Sequence, residues 1–146
     1  MLRNQLLEDE DLKRKLIQNA IEARKFSYSP YSEYQVGACL ITKDGKLYKG
    51  CNVENAAYGP TNCAERTAIF KAVSEGEKSF AGIAIVGSKK GDTITDYAYP
   101  CGVCRQVMME FCNPKEFVIL VAKSEEDYKQ FTLEELLPNG FGPDNL

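Results

Sequence analysis

The 146-residue chain contains no histidine. Histidine is the side chain that most often exchanges protons near neutral pH, and it is also the commonest metal ligand. Any site in this protein that binds a metal or moves a proton must therefore use other residues. The chain has six cysteines and 21 acidic residues that can take over these two tasks.

Other absences narrow the class of protein. No apolar run approaches the ~18 residues of a membrane span, and the N-terminal segment MLRNQLLEDEDLKRKL is too charged for a signal peptide. We therefore expect a cytoplasmic protein without a membrane partner. The net charge is -3 and the sequence has no basic block, which argues against nucleic-acid binding. In a cytosolic chain, cysteines are more often metal-binding, catalytic or buried than disulfide-bonded.

No internal repeat, low-complexity segment or linker rich in proline and glycine interrupts the chain. Hydrophobic residues make up 44% of the sequence and charged residues 27%, as in ordinary globular proteins. The length is sufficient for one domain with a hydrophobic core. We therefore predict a single domain over residues 1–146.

Hydrophobic periodicity predicts the order helix, hairpin, helix, strand, helix, strand, followed by a short helix. The hairpin turns at Asp44-Gly45, and Thr132 with Glu135 forms a capping box for the last helix. The predicted helices cover residues 9–26, 63–76, 101–112 and 132–138, and the predicted strands cover 34–42, 46–54, 81–88 and 116–123. Strands that are joined through helices favour parallel pairing, and the hairpin makes the sheet mixed.

Two of the predicted helices begin with cysteine. Cys101 and Cys104 are three residues apart, so they lie on one face of a helix. Cys63 and Glu65 belong to the first turn of another helix, where both side chains can lean beyond the helix end. The positive end of a helix dipole favours the thiolate, which is the form that binds zinc. If the preceding strands are neighbours, the two helix ends meet at one sheet edge, where open α/β sheets place ligands.

Three protein ligands with an open fourth position are typical of catalytic zinc, and a glutamate that is not a ligand can transfer protons there. Two alternatives stay open. The CxxC pair is compatible with a redox dithiol, although no thioredoxin-like pattern accompanies it. A structural zinc site would take its fourth ligand from Cys39, Cys51 or Cys112. Cys39 and Cys112 have apolar neighbours, which favours small buried hydrophobic residues instead.

The segments CAER and PCGVCRQ together resemble the cytidine deaminases, in their homotetrameric form with three cysteine ligands. YSEYQVGACL, GCNVENAAYG, KAVSEG and TLEELLPNGFGP also resemble segments of this family, so the resemblance covers nearly the whole chain. It implies a three-layer α/β/α domain with a mixed sheet. It also implies zinc-dependent hydrolytic deamination of cytidine and deoxycytidine to uridine and deoxyuridine, with release of ammonia, in pyrimidine salvage. A metal-activated water and a non-ligand glutamate are features of this class.

The resemblance assigns roles to individual positions. Cys63, Cys101 and Cys104 would bind Zn²⁺, and Glu65 would be the catalytic proton carrier. The predicted substrate-binding residues are Asn52 and Glu54 for the ribose, Tyr34 over the base where the family usually has phenylalanine, Ala64 through its backbone, and Phe141 toward a neighbouring subunit. Arg66 and Gln106 would lie near the thiolates. A cation is useful there because three thiolates exceed the charge of Zn²⁺ by one.

Two rival functions share many of these residues. A sister deaminase would act on another cytosine-like compound, although the segment NVEN favours a plain ribose. A structural zinc module would bind a partner protein without chemistry. Release of ammonia from cytidine separates the enzyme from the structural module.

Overall fold

A five-stranded mixed sheet forms the centre of the computed structural model, which describes residues 5–146. The strand order is β2-β1-β3-β4-β5, with β3 and β4 parallel and the other pairs antiparallel. The strands are β1 Tyr34–Thr42, β2 Leu47–Cys51, β3 Phe80–Lys89, β4 Val118–Ala122 and β5 Tyr128–Thr132. The mixed sheet and the parallel β3–β4 pair confirm the prediction. Residues 1–4 of the predicted domain lie outside the described part.

Helices cover both faces of the sheet and make three layers. They are α1 Glu10–Arg24, α2 Ala64–Ser74, α3 Gly102–Phe111 and α4 Leu133–Leu136, with short 3₁₀ helices at Gln5–Glu8 and Pro143–Asn145. Helix α1 packs on one face, and α2, α3 and α4 pack on the other. Among residues 5–146, none of the helices has both the length and the apolar character that crossing a membrane requires.

Alternation along β1 explains the two hydrophobic cores. Ala38 and Leu40 point toward α2 and α3, whereas Cys39 and Ile41 point toward α1. Strand residues alternate between faces, so a strand covered by helices on both sides is apolar throughout. This is why the run YQVGACLIT is nearly continuous in hydrophobic residues.

Most element boundaries follow local chemistry that the sequence reveals. The Asp9 side chain caps α1 by accepting from the backbone N–H groups of Asp11 and Leu12. The predicted capping box of Thr132 and Glu135 is present at α4. Gly45 in the hairpin turn and Gly76 after α2 have φ values of 93° and 95°, in the region that favours glycine.

The two strands that lead toward the cysteine helices are not neighbours, contrary to the condition on which the predicted site depended. Strand β1 lies between β2 and β3 and runs antiparallel to both. Because β1 reverses direction, the carboxyl ends of β2 and β3 still reach the same edge of the sheet. Helices α2 and α3 both begin near this edge, so the predicted juxtaposition of their N-termini is achieved across β1.

Candidate active site

Three cysteine sulfurs meet where α2 and α3 begin. Cys63 is the N-cap of α2 and Cys101 is the N-cap of α3. Their Sγ atoms are 3.7 Å apart, and the backbone N–H of Cys104 donates to Cys101 Sγ over 3.5 Å. All three Sγ atoms lie within 4.8 Å of one another. The structure thus brings together the three cysteines that the sequence predicted as ligands.

This donor set fits a zinc ion. Sulfur ligands select soft or borderline metals, and three protein ligands leave a fourth position for water or substrate. Two helix N-termini point their dipoles at the sulfurs and stabilise the negative charge there. Cys39, Cys51 and Cys112 stand apart from the cluster among the described residues, so none of them supplies a fourth ligand.

Without metal, the cluster shares its protons unequally. A hydrogen bond from the Cys104 thiol is the main reason that the pKa of Cys63 falls to about 5, with a further contribution from Arg66. The same hydrogen bond, together with burial, raises the pKa of Cys104. Of the two thiols, Cys63 is therefore the one that loses its proton at lower pH. A bound metal would replace the proton that Cys104 retains.

Arg66 is the cation of the cluster. Its Nη2 donates to Cys63 Sγ over 3.3 Å. Burial lowers the pKa of Arg66, but hydrogen bonds to Cys63 and Cys104 outweigh this effect and raise it. A cation in the first helical turn opposes the macrodipole, and here the neighbouring sulfur charge compensates for that placement.

Glu65 lies next to the cluster without joining it. Its side chain is only 4% exposed, and the three-sulfur group that could hold a metal does not include it. Burial is the main cause that raises the pKa of Glu65 to about 7, with a further contribution from the charge of Cys63. A hydrogen bond from the Glu65 backbone N–H and, to a smaller extent, one with Cys104 oppose this rise in pKa. A carboxyl group with a pKa near neutrality can both accept and donate a proton at physiological pH.

The segment that contains Asn52 and Glu54 runs alongside the start of α2. Val53 forms a two-way backbone bridge with Asn62, the residue before Cys63. Asn52 is buried and makes structural hydrogen bonds: Oδ1 accepts from the Val36 N–H over 2.9 Å, and Nδ2 donates to the Tyr34 carbonyl over 2.9 Å. This segment therefore connects the metal cluster to the first residues of β1.

Glu54 organises the loop before β1. Its carboxylate accepts from the backbone N–H groups of Tyr31 and Ser32 over 3.0 and 3.1 Å, and also from the Ser32 hydroxyl. The hydroxyl bond is the main cause that lowers the pKa of Glu54. A carboxylate that is held in this way stays ionised and has a fixed orientation.

The remaining predicted residues lie around this core. Tyr34 opens β1 and Ala64, fully buried, opens α2. The structure gives Gln106 a partner other than the thiolates, because its Nε2 donates to the Phe141 carbonyl over 2.8 Å. This bond holds the C-terminal segment against α3, while the Phe141 side chain is 58% exposed.

Three positioning residues were missed by the sequence reasoning. Asn62 Nδ2 donates to Thr67 Oγ1 over 3.1 Å, and Thr67 Oγ1 donates to the Cys63 carbonyl over 3.3 Å, which ties the first turn of α2 together. Arg105 donates from Nε to the Pro100 carbonyl over 2.7 Å and from Nη1 to the Leu136 carbonyl over 2.6 Å. A cation in the first turn of α3, where the dipole disfavours it, was the available signal for Arg105.

Comparison with known proteins gives a consistent result. Residues 10–121 match the family model described as the cytidine and deoxycytidylate deaminase zinc-binding region. The chain is 47% identical to the cytidine deaminase of Halalkalibacterium halodurans, over 90% of this chain and 95% of the relative. It is also 47% identical to that of Sporosarcina psychrophila, over 90% and 93%.

Solved structures agree with the sequence relatives. A cytidine deaminase from Burkholderia pseudomallei superposes with a TM-score of 0.77 at 45% identity, over 87% of this chain and 97% of the other. One from Mycobacterium tuberculosis has a TM-score of 0.72 at 35% identity, over 88% and 95%. The family model spans most of the chain, and the three-cysteine cluster lies within the matched residues. The chain therefore belongs to the cytidine and deoxycytidylate deaminase family.

Proposed function

We propose that this protein is a zinc-dependent cytidine deaminase. It hydrolyses cytidine and deoxycytidine at C4 to give uridine and deoxyuridine with release of ammonia. The observation that carries the proposal is the buried carboxyl group of Glu65, which lies beside three clustered cysteine sulfurs but outside the group that could hold a metal. An acid–base group next to an open metal site is the arrangement that hydrolysis requires, and a purely structural zinc site has no use for it.

In this proposal Cys63, Cys101 and Cys104 hold the zinc ion. When bound, zinc supplies the Lewis acidity that makes water a nucleophile at neutral pH. Arg66 offsets the excess charge of the three thiolates by donating to sulfur. The short distance from Arg66 Nη2 to Cys63 Sγ supports this role. Gln106 contributes from the outside of α3 by fixing the C-terminal segment, as its hydrogen bond to Phe141 suggests.

Glu65 carries the protons between water and substrate. It accepts a proton from the attacking water and delivers it to N3 of the pyrimidine, then accepts the proton of the new C4 hydroxyl group and delivers it to the amine, which leaves as ammonia while the C4 carbonyl forms. Each delivery requires a carboxyl group that changes its protonation state near neutral pH. Burial, which raises the pKa of Glu65 to about 7, supplies this property.

The substrate lies between the cluster and the segment that leads into β1, residues 28–34, which we call the substrate loop. Asn52 and Glu54 hold the ribose hydroxyls, Tyr34 lies over the base, and the Ala64 backbone meets the pyrimidine edge. The charge of Glu54 disfavours a 5′-phosphate placed nearby, so the substrate class is the nucleoside rather than the nucleotide.

The protein works as a cytoplasmic homotetramer in pyrimidine salvage, with one domain over residues 1–146 and no nucleic-acid partner. Exposed aromatic residues that lie close together support subunit contacts, because contiguous exposed apolar patches mark association surfaces, and Tyr31 and Tyr58 line one surface pocket. Four exposed aromatic residues lie in the substrate loop, in the connection from β2 to α2, or near the C-terminus: Tyr28, Tyr31, Tyr58 and Phe141, with exposures of 56%, 60%, 93% and 58%. Phe141 completes the site of an adjacent subunit.

A comparison of substrates tests the proposed function. Purified protein with measured zinc is mixed with cytidine, deoxycytidine, free cytosine or cytidine monophosphate, and the loss of cytosine absorbance is followed. We expect kcat/KM for both nucleosides to exceed that for cytosine and for the nucleotide by at least about 100-fold, because ribose contacts contribute transition-state binding. Zinc-loaded protein that releases no ammonia from cytidine would refute the proposal.

A further inference from the structure

A glycine on the central strand β3 lies on the face of the sheet that carries the candidate site. Gly87 lies near the end of β3, and its register partner on β1 is Val36. Ile83 and Ile85 of the same strand point toward α2 and α3. Because strand residues alternate, Gly87 points to this face as well. Its φ lies outside the left-handed region, so backbone conformation does not require glycine at this position.

Limited space is what favours glycine there. A Cβ atom on Gly87 would lie 3.0 Å from Cε2 of Tyr34 and 3.1 Å from its hydroxyl oxygen. The Cβ of Ala98 would be 3.1 Å away on another side. Nine in ten real Cβ contacts are longer than these distances, so a neighbour would have to move by a few tenths of an ångström. The Tyr34 ring therefore rests in the space that the missing side chain leaves.

The same ring belongs to the substrate loop through its backbone. The Tyr34 N–H donates to Ser32 Oγ over 3.0 Å, and its carbonyl accepts from Asn52 over 2.9 Å. Ser32 in turn donates to Glu54. The backbone of Tyr34 is thus fixed by Asn52, which is proposed to hold the ribose, and by Ser32, which is bonded to Glu54. The remaining freedom of Tyr34 is the position of its ring.

We propose that Gly87 is a positioning residue that sets the depth of the Tyr34 ring, and with it the width of the slot that receives the pyrimidine. The inference rests on the proposed function, because Tyr34 is taken to lie over the base. Gly87 itself touches no substrate and acts through Tyr34. A side chain at Gly87 lifts the ring away from the sheet and narrows the slot.

Gly82, on the same strand, shows that crowding alone does not define this role. A Cβ on Gly82 would meet Leu7 and the Val118 carbonyl. Leu7 belongs to the core on the α1 side. The space above Gly82 is thus filled by core residues, and the space above Gly87 by a residue of the substrate loop.

The test is a double-mutant cycle with Gly87→Ala and Tyr34→Phe, measured as kcat and KM for cytidine on zinc-loaded protein. A misplacement of about 1 Å can cost on the order of 100-fold, so a few tenths should raise KM in Gly87→Ala roughly 3- to 10-fold, with kcat within about twofold. Removing the hydroxyl relieves one of the two close contacts with Tyr34. The rise in KM should therefore be smaller when Gly87→Ala is made in the Tyr34→Phe background.

Controls separate positioning from folding. Gly59→Ala is the matched variant, since nothing lies within 4 Å of an added Cβ there, and its KM should stay at the parent value. Thermal unfolding and zinc content are measured for every variant. Should Gly87→Ala fail to fold, the same substitution is made together with Ala98→Gly, which removes the other crowding methyl group.

The outcomes distinguish this inference from the proposed function. A folded, zinc-loaded Gly87→Ala variant with the parent KM overturns the inference alone, and so does an equal rise in KM with and without the Tyr34 hydroxyl. A parent protein that neither deaminates cytidine nor binds cytidine or uridine in calorimetry overturns both.

Discussion

At the scale of single residues, two neighbours at the start of α2 divide the electrostatic work. Glu65 is buried next to negative sulfur, which favours its protonated form and raises its pKa to about 7. Arg66 donates to the same sulfur and favours its thiolate form. In a chain without histidine, Glu65 thus has the pKa that proton transfer requires, and Arg66 stabilises the negative charge of the cysteine ligands.

Arg66→Ala should weaken zinc retention at mildly acidic pH. Arg66 helps to lower the pKa of Cys63, so removing it raises that pKa, and protons then compete with zinc at a higher pH. Charge-assisted hydrogen bonds are worth roughly 1.5–3 kcal/mol, so the midpoint of zinc release should rise by on the order of one pH unit. Zinc per chain is measured against pH with a chelator present.

Arg66→Lys is the matched variant for this measurement. It keeps the charge but loses the planar donor fork of arginine. The pH midpoint of zinc release in Arg66→Lys should therefore lie between those of the parent and of Arg66→Ala. An identical midpoint in the parent and both variants would mean that Arg66 does not stabilise the ligand set.

In the metal-free folded protein, the thiol of Cys63 should react faster than that of Cys39. Cys63 has a pKa near 5 and is already thiolate at pH 7, whereas burial raises the pKa of Cys39 to about 12. The thiolate is the reactive form. Brief exposure to iodoacetamide at pH 7 should therefore alkylate Cys63 and leave Cys39 unmodified, as followed by mass spectrometry of peptides.

Two controls accompany the alkylation. Denatured protein should react at both positions, and zinc should protect Cys63. Labelling of Cys39 as fast as Cys63 in the folded protein would contradict the burial and the charge pattern described for these two thiols.

At the scale of elements, the connection from β2 to α2, residues 52–63, joins the cysteine cluster to the sheet. The Asn52 side chain fixes the start of this connection by hydrogen bonds to the backbone of Val36 and Tyr34 in β1. Asn52→Ala would remove the partner of the partly buried Val36 N–H and that of the partly buried Tyr34 carbonyl, at about 1–3 kcal/mol each. We expect a loss of roughly 2–4 kcal/mol in the free energy of unfolding.

Asn55→Ala is the control for this prediction. Asn55 is exposed and its Oδ1 accepts one backbone N–H, from Ala57. Chemical denaturation should show a loss within about 1 kcal/mol for this variant. If Asn52→Ala lost less unfolding free energy than Asn55→Ala, the buried amide of Asn52 would not stabilise the connection from β2 to α2.

The sequence predicted the elements whose signals are local. Helix α1 begins at its aspartate cap, α4 has its capping box, and β3 and β4 are short apolar runs. Strand β5 was missed because the run YKQFT is short and polar and lies at the sheet edge, where pairing with β4 decides its conformation.

The site was predictable where ligand spacing decides it and not where packing does. Cys63, Cys101 and Cys104 follow from their spacing at helix starts. The insertion of β1 between β2 and β3 is a property of the whole sheet, and no local pattern encodes strand order. The bond of Gln106 to Phe141 and the contact of Gly87 with Tyr34 depend on segments far apart in the chain.

At the scale of the whole molecule, the C-terminal segment leaves the aromatic side chain of Phe141 largely exposed. Gln106 holds the Phe141 carbonyl, and Gly142 packs on Met109. If the protein forms the proposed tetramer and Phe141 completes the site of a neighbour, Phe141→Ala should lower kcat/KM about tenfold or more without changing the mass in light scattering. Leu146→Ala is the control, because Leu146 is 97% exposed on the same segment.

Subunit exchange tests whether Phe141 acts between chains. Inactive Glu65→Gln chains carry an intact Phe141, and Phe141→Ala chains carry an intact Glu65. Mixed tetramers should therefore contain restored sites and gain activity over either variant alone. Mixed assemblies, verified by mass spectrometry, that show no gain would place Phe141 in the site of its own chain or outside any site.

The central claim, that Glu65 transfers the protons of a zinc-dependent deamination, is tested most directly by Glu65→Gln. The change keeps the size of the side chain and removes its acid–base function. The measurement is the rate of uridine and ammonia formation from cytidine, together with zinc per chain. We predict equal amounts of both products from the parent, and a loss on the order of 100- to 10,000-fold in a fully zinc-loaded variant. A zinc-loaded variant that works within about tenfold of the parent would contradict the role of Glu65.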